Sequence, residues 1–292
     1  MISDKLRVEP TYPIYPPYHT GLYLEEYFFD FYKRNSERFQ KIKREYIPIF
    51  WTNCYVNGVV DGWGDTVDIN DIQGEINTLN SSGSYFTICQ HDDAPMNPLP
   101  KNTVIFSAGG NVIGPGVVPI PLVCGPIDLQ FSTEKTLLAS FVGSNTHEVR
   151  NKMIHSLQSK EDVYISSSVW NPEVNDDNLS NFVTQSLKSK FVLCPRGYGA
   201  SSFRLYEAMQ LGAVPVYVSD RFWIPWVDEL DWNEFCVLIP EQGIDTIHST
   251  LSSIDDATYN KMKNNISKLY DAYFSLEGVC ENILKRLEME PT

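Results

Sequence analysis

The stretch that most constrains this chain runs from Lys190 to Glu241, KFVLCPRGYGASSFRLYEAMQLGAVPVYVSDRFWIPWVDELDWNEFCVLIPE. Phe191-Val192-Leu193-Cys194 is a short, continuous apolar run closed by Pro195, the pattern of a strand buried on both faces. Arg196 to Ser202 follows, with Gly197 and Gly199 to free the backbone and Ser201 and Ser202 suited to cap a helix. From Phe203 the residues Leu205, Ala208, Met209 and Leu211 recur at helical spacing, and Gly212 stops the helix. Val214-Pro215-Val216-Tyr217-Val218 reads as the next parallel strand. Such a strand–loop–helix–strand unit sets the helix N-terminus at the carboxyl edge of a parallel sheet, where anions bind. The fold class is α/β.

Three polar residues give the unit its chemistry. Arg196 and Arg204 are fixed positive charges able to fork onto phosphate oxygens. Glu207 lies three residues after Arg204, so both project from one helix face near its start. A carboxylate there can accept two hydrogen bonds from a ribose diol. The plain alternative is an Arg204–Glu207 ion pair on a solvated face, contributing only about 0.3–0.5 kcal/mol. Spacing alone leaves both readings open.

The order Cys194-Pro195-Arg196-Gly197, then Ser202-Phe203-Arg204-Leu205-Tyr206-Glu207-Ala208, then Gly212-Ala213-Val214-Pro215-Val216 and Asp231-Trp232 carries a resemblance. On these residues the chain resembles the exostosin-type glycosyltransferases (family 47), without a gap across Lys190–Glu241. Weaker resemblance extends back through Phe141-Val142-Gly143 and Arg150. It implies a GT-B fold, two Rossmann-like domains facing each other across a cleft. It also implies transfer of a sugar from a nucleotide donor to a glycan hydroxyl, with inversion of configuration. The chain further resembles the compact, unanchored exostosin-like proteins of large algal viruses. That resemblance implies action in a host cytoplasm and, among the family's UDP-linked sugars, UDP-xylose as the donor.

With 292 residues the chain has room for two domains, each with its own core. A net charge of −14 argues against a nucleic-acid partner, because phosphate neutralisation needs a basic face. The arginines of a phosphate site must then be placed locally, against the overall field. The N-terminal sequence MISDKLRVEPTYPIYPPYHT lacks an apolar core of signal-peptide length, and no run approaches the roughly 18 residues of a membrane span. The expectation is a soluble, cytoplasmic protein or an excised catalytic core. The six cysteines are scattered without a C-x-x-C pair, and Cys89, Cys194 and Cys236 fall in strand-like runs as buried free thiols.

In chain order, the Pro- and Tyr-rich segment 10–20 reads as an ordered extended arm or an acceptor-facing rim, and Gly21 to Arg44 as one long helix. Tyr46–Trp51, Tyr85–Cys89 and Val104–Ser107 read as strands and Asp71–Leu79 as a helix, while 114–125 shows little regular pattern. A boundary near residue 130 separates an acceptor-binding domain, 1–130, from a nucleotide-sugar-binding domain, 131–292. Leu138–Gly143 opens the second domain, with Asn145 as cap and Glu148 at the capping-box position of a following helix. Val163–Ser166 is a strand and 177–188 a helix. Beyond Ile239 the pattern is helical at 243–253 and then continuously from Asp255 to Glu288, a terminal helix expected to pack back on the first domain.

Sugar transfer from a nucleoside diphosphate must stabilise the leaving diphosphate, hold base and ribose, and take a proton from the acceptor hydroxyl. Asp61-Gly62-Trp63-Gly64-Asp65 and the adjacent Asp92-Asp93 lack the Asp-x-Asp spacing of a metal-dependent site. Arg150, Arg196, Arg204 and a helix N-terminus supply positive charge instead, so no metal or other cofactor is expected. Gly143-Ser144-Asn145 is a second phosphate loop, and the expected donor contacts are Gly143, Arg150, Arg196, Gly197, Ser201, Ser202, Arg204 and Glu207. Arg150 reads equally as a solvated surface residue. For the base, His91, Asp92 and Asp93 stand at the end of a central strand. The alternative is that the two aspartates cap a turn before Pro95 and His91 is structural; His19 and Asp61 are held in reserve. A catalytically silent binder of nucleotide sugar or glycan is the rival function, which the intact Arg204/Glu207 pair disfavours. A Rossmann oxidoreductase is set aside because G-x-G-x-x-G is missing.

Overall fold

The computed structural model describes residues 4–8, 23–55, 68–123, 125–127, 133–170 and 176–290. The 10–20 arm, His19, Asp61 and the expected boundary near 130 lie outside them. The chain divides into two units, Met1–Gly125 with Ser275–Thr292, and Pro126–Phe274.

The first unit runs α1 (Leu24–Arg34), α2 (Ser36–Phe39), β1 (Glu45–Tyr46), α3 (Trp51–Cys54), α4 (Ile69–Ile76), β2 (Tyr85–Cys89), β3 (Thr103–Ser107) and β4 (Val117–Pro119). Its strands form a parallel sheet in the order β1-β2-β3-β4. The single helix expected over Gly21–Arg44 is two, broken at Asn35 (φ −108°, ψ 25°). There the Asn35 Nδ2 donates to the Phe31 carbonyl at 3.0 Å, the backbone competition that makes Asn a poor interior helix residue. The strand expected to reach Trp51 stops early. Ile47 N still donates to Phe86 O at 2.9 Å, but Pro48 has no N–H to continue, and the chain turns into α3. The region 114–125 does contain a strand: β4 is a short edge, where Pro119 is tolerated. Phe28, Phe31, Phe39, Tyr46, Phe86 and Phe106 form an aromatic layer against the sheet, with Tyr46 and Phe86 stacked at 5.0 Å.

The second unit runs β5 (Leu137–Ser144), α5 (Glu148–Leu157), β6 (Val163–Ser168), α6 (Asp176–Lys188), β7 (Ser189–Pro195), α7 (Phe203–Gln210), β8 (Val214–Ser219), β9 (Val237–Pro240), α8 (Ile247–Ser253) and α9 (Asp256–Leu269). Its sheet is also parallel throughout, in the order β6-β5-β7-β8-β9. Gly212, at φ 65°, takes the left-handed conformation that ends α7.

The continuous helix expected from Asp255 to Glu288 is interrupted. After α9 a π-turn spans Tyr270–Phe274, and Ser275 caps a fresh helix, α10 (Leu276–Glu288), by accepting from Gly278 N at 3.0 Å. α10 belongs to the first unit, where it packs on α1. Arg38 pairs with Glu281 and Glu288, Arg34 and Tyr27 with Glu277, and Arg44 with Glu290. Pairs at the surface, as Arg34–Glu277 is, are worth about 0–1 kcal/mol each, and the others are only partly withdrawn from water. Burying Val279, Ile283, Leu284 and Leu287 at about 1.5–3 kcal/mol apiece outweighs them, so apolar packing holds α10 and the ion pairs set its register. No helix among the described residues is long and apolar enough to cross a membrane.

Candidate functional site

In the second unit the chain leaves β5 first to one side, for β6, and then to the other, for β7. That reversal is a topological switch point, where open α/β sheets bind ligands at the carboxyl ends of their strands. The ladders show the sheet opening there. β5 pairs with β6 as far as Ser144↔Ser168, and β7 with β8 as far as Pro195↔Val218. Between β5 and β7 the pairing stops at Ser140↔Val192. Beyond it lies a crevice flanked by the β5–α5 loop and the β7–α7 loop. Gly143, Arg150, Arg196, Gly197, Ser201, Ser202 and Arg204 all fall on or beside those two strand ends, with Glu207 one turn further along α7.

Arg204 enters the crevice from α7. Its Nη2 donates to Val142 O at 2.7 Å, and its Cζ lies 4.9 Å from the Phe141 ring and 5.8 Å from that of Phe182. Gly143 is required by this approach, since a Cβ there would overlap Arg204 Nη2. Arg204 Nε is buried without a hydrogen-bond partner. Burial lowers the guanidinium from its usual range, while Cys194 and Glu207 oppose the shift. Burial likewise raises the Glu207 carboxyl, and Arg204 opposes it. The two are electrostatically coupled, but the guanidinium is turned onto a carbonyl and two rings. This is not the solvated surface pair that spacing left open.

The other two arginines are engaged by the protein. Arg196 forms an ion pair with Asp220 at 2.7 Å, and donates from Nη2 to Tyr198 O (2.9 Å) and from Nε to Gly197 O (3.3 Å). Burial by itself would raise the Asp220 carboxyl; the Arg196 hydrogen bond and charge, helped by His147, bring it below the usual carboxylate range. The sequence does not mark Asp220, although it follows β8 at the same sheet edge, beside the end of β7 that Arg196 follows. Arg150 is buried rather than a solvated surface residue, and donates to Ser144 O, Pro195 O and Arg196 O.

The loops themselves are stiffly held. Tyr217 Oη donates to Ala200 O at 2.6 Å and accepts from Trp223 N at 2.9 Å. Ser202 is the N-cap of α7, but its side chain makes no capping bond. Ser201 Oγ and, on the facing loop, Thr146 Oγ1 are buried without hydrogen-bond partners. Asn145 does not cap α5. Its N–H still pairs with Ser168 O at 3.0 Å, extending the strand, and the helix starts later with His147 Nδ1 accepting from Val149 N.

Burial and the Arg196 charge, with Arg150 adding to them and Asp220 and Glu241 opposing, hold His147 below its ordinary 6.5. The unfolded chain therefore takes up that proton first as pH falls. The stability His147 contributes is fully present above pH 6.5 and is lost as pH drops towards the lower folded value. His147→Asn keeps a capping acceptor but does not titrate, so urea melts at pH 7 and pH 5, spanning the ordinary range of histidine at about 6.5, are expected to differ less for the variant than for the wild type. Equal pH dependence in the two proteins would remove His147 from this role.

In the first unit, the described strands follow each other in sequence order, with no reversal among them. His91, Asp92 and Asp93, all partly buried, follow β2 in a turn closed by Ala94 N donating to His91 O at 3.3 Å. His91 Nδ1 accepts from Asp93 N at 3.2 Å, which leaves the proton of a neutral ring on Nε2. Asp93 Oδ1 accepts from Asn111 Nδ2 at 2.9 Å, and Asp92 O accepts from Asn111 N at 3.1 Å, tying the turn to the loop after β3. The side-chain cap of this turn is thus His91, while the Asp93 carboxylate reaches Asn111 on the next loop. Nothing in the sequence marks Glu25. It is buried at the start of α1, accepts from Gln90 N, Thr52 N and Thr52 Oγ1, and burial, moderated by those bonds, pushes its carboxyl up to about 8. In sequence it looks like any acid in a helix's first turn. Among the described residues no three His, Cys, Asp or Glu side chains gather to hold a metal ion.

Two all-parallel α/β units, one carrying an anion-suited crevice at its switch point, are the architecture of the GT-B class. Residues 80–254 match the Exostosin GT47 domain, and the chain belongs to that family, the exostosin-type glycosyltransferases. It is similar to the Exostosin-1 homolog of Caenorhabditis elegans, 31% identical over 180 residues that cover 54% of this chain and 46% of that one. It is also similar to Exostosin-1b of Danio rerio, 37% identical over 101 residues covering 35% and 13%. Among solved structures it resembles WaaG, a glycosyltransferase involved in lipopolysaccharide biosynthesis, with TM-score 0.41 and 10% identity over 65% of this chain and 64% of that one. The chain spans less than half the length of the curated relatives it matches.

Proposed function

We propose that the protein is an inverting glycosyltransferase that moves a sugar from a UDP-sugar, UDP-xylose by preference, to a hydroxyl of a glycan acceptor, without a metal ion. The observation that carries this reading is the set of donors at the β5/β7 crevice. Thr146 Oγ1, Ser201 Oγ and Arg204 Nε are buried and unsatisfied by the protein. A buried unsatisfied group costs about 1–3 kcal/mol, so three together favour a ligand that brings acceptors. Diphosphate oxygens answer that description, and the N-terminus of α7, uncapped by a side chain, adds favourable potential. Glu207 then takes the ribose hydroxyls. The acceptor hydroxyl attacks the anomeric carbon as the bond to the diphosphate breaks, and Asp92 or Asp93 takes the proton. Action in a cytoplasm of the viral-host type goes with the same reading.

A panel of UDP-sugars, assayed for transfer and for thermal stabilisation, tests it. UDP-xylose is expected to give the largest response, and turnover is expected to survive saturating EDTA. Stabilisation by UDP without transfer of any sugar would favour a silent binder. Loss of activity in chelator with recovery in manganese would overturn metal independence.

A further inference from the structure

The split between β5 and β7 leaves their carboxyl ends without main-chain hydrogen bonds to each other beyond Ser140 and Val192. One buried side chain spans that gap. Arg150, on the first turn of α5, donates from Nη1 to Ser144 O at 2.6 Å on the β5 side. On the β7 side it donates from Nε to Arg196 O at 2.8 Å and from Nη2 to Pro195 O at 3.4 Å. The guanidinium fork suits this, because its N–H groups leave in fixed, divergent directions. Gly197 records how closely the tie passes: a Cβ there would stand 3.2 Å from Arg150 Nη2 and 3.8 Å from Thr146 Oγ1.

We infer that Arg150 is a positioning residue: it replaces the missing ladder between β5 and β7, fixes the width of the crevice, and so aims Thr146 and Ser201 at an anionic ligand that it does not itself contact. This rests on the nucleotide reading above for the ligand, but not for the tie. Its consequence is that the fork geometry of Arg150 matters and its charge alone does not. A lysine carries the charge on one compact ammonium and cannot hold both strand ends.

Calorimetric titration of UDP into the wild type, Arg150→Lys, Thr146→Val and the double variant tests the inference. Arg150→Lys is expected to weaken UDP binding by about tenfold or more, and Thr146→Val to weaken it in the wild type but hardly at all beside Arg150→Lys. If lysine keeps UDP affinity within about twofold, or if the two changes act independently, Arg150 is a charge contact and the inference falls. Amide hydrogen exchange without ligand gives a readout that does not need UDP. Arg150→Lys is expected to speed exchange in the 144–147 and 195–201 loops while the paired strands stay protected. Unchanged loop exchange sinks the tie. Faster loop exchange in a protein that binds no UDP sinks the nucleotide reading instead. Should Arg150→Lys fail to fold, Gly197→Ala crowds the same guanidinium, its Cβ standing 3.2 Å from Nη2, and is expected to show the same pattern in weaker form; unaltered loop exchange and UDP affinity in that variant overturn the inference.

Discussion

Glu207→Ala is expected to lower UDP affinity by about 10–150-fold, the equivalent of ~1.5–3 kcal/mol for hydrogen bonds to a charged group. The carboxylate sits one turn beyond Arg204 on α7, partly buried and coupled to that guanidinium. Ligand hydroxyls need it ionised, since only the carboxylate accepts at both oxygens. Because burial raises its pKa, UDP affinity is expected to fall on acidification at a higher pH than an ordinary carboxylate would give. Glu207→Gln keeps the shape and removes the titration, so its affinity should lack that acid limb. Calorimetry with UDP across pH checks both statements. Wild-type affinity in a correctly folded Glu207→Ala would remove Glu207 from the ribose site.

The largest effect on turnover is expected at the proton acceptor. Asp92→Asn and Asp93→Asn remove a charge while keeping an acceptor oxygen, so Asn111 can still donate to position 93 and the turn is preserved. At the true base kcat should drop about 10²–10⁴-fold with UDP affinity nearly unchanged. The aspartates rank above His91, whose Nδ1 is occupied by Asp93 N–H and whose Nε2 therefore carries the proton. Single-turnover rates with a saturating donor would decide among the three. If all of the variants keep normal turnover, the base lies elsewhere, and His19 and Asp61 come next.

The second unit was legible in the sequence almost residue by residue, because its central strands are continuous apolar runs with hard stops. Pro195 closes β7 and Gly212 ends α7, and neither depends on distant parts of the chain. Positions decided by tertiary partners were not legible. Arg150 and Arg196 read as free charges, since nothing in the sequence tells which carbonyls or which carboxylate will meet them. The α5 cap moved from Asn145 to His147 because pairing with Ser168 carried the strand further. The break at Tyr270–Phe274 was hidden because Ile266, Phe274 and Val279 keep the apolar face going across it. Glu25 was overlooked because its burial comes from Thr52 and Gln90, far along the chain.

The assignment of α10 to the first unit makes that unit discontinuous in the chain. Arg38 and Glu288 are 250 positions apart, so the contact closes a loop that contains the whole second unit. The entropy of such a closure grows only slowly with length if the intervening chain is unstructured, and it is smaller still if that chain has already compacted. A ribosome delivers Pro126–Phe274 as one uninterrupted stretch before α10 exists, whereas α1 must wait for α10 to be made. Until then the face of α1 that α10 covers stays wet, and of these two units the one begun earlier is completed later.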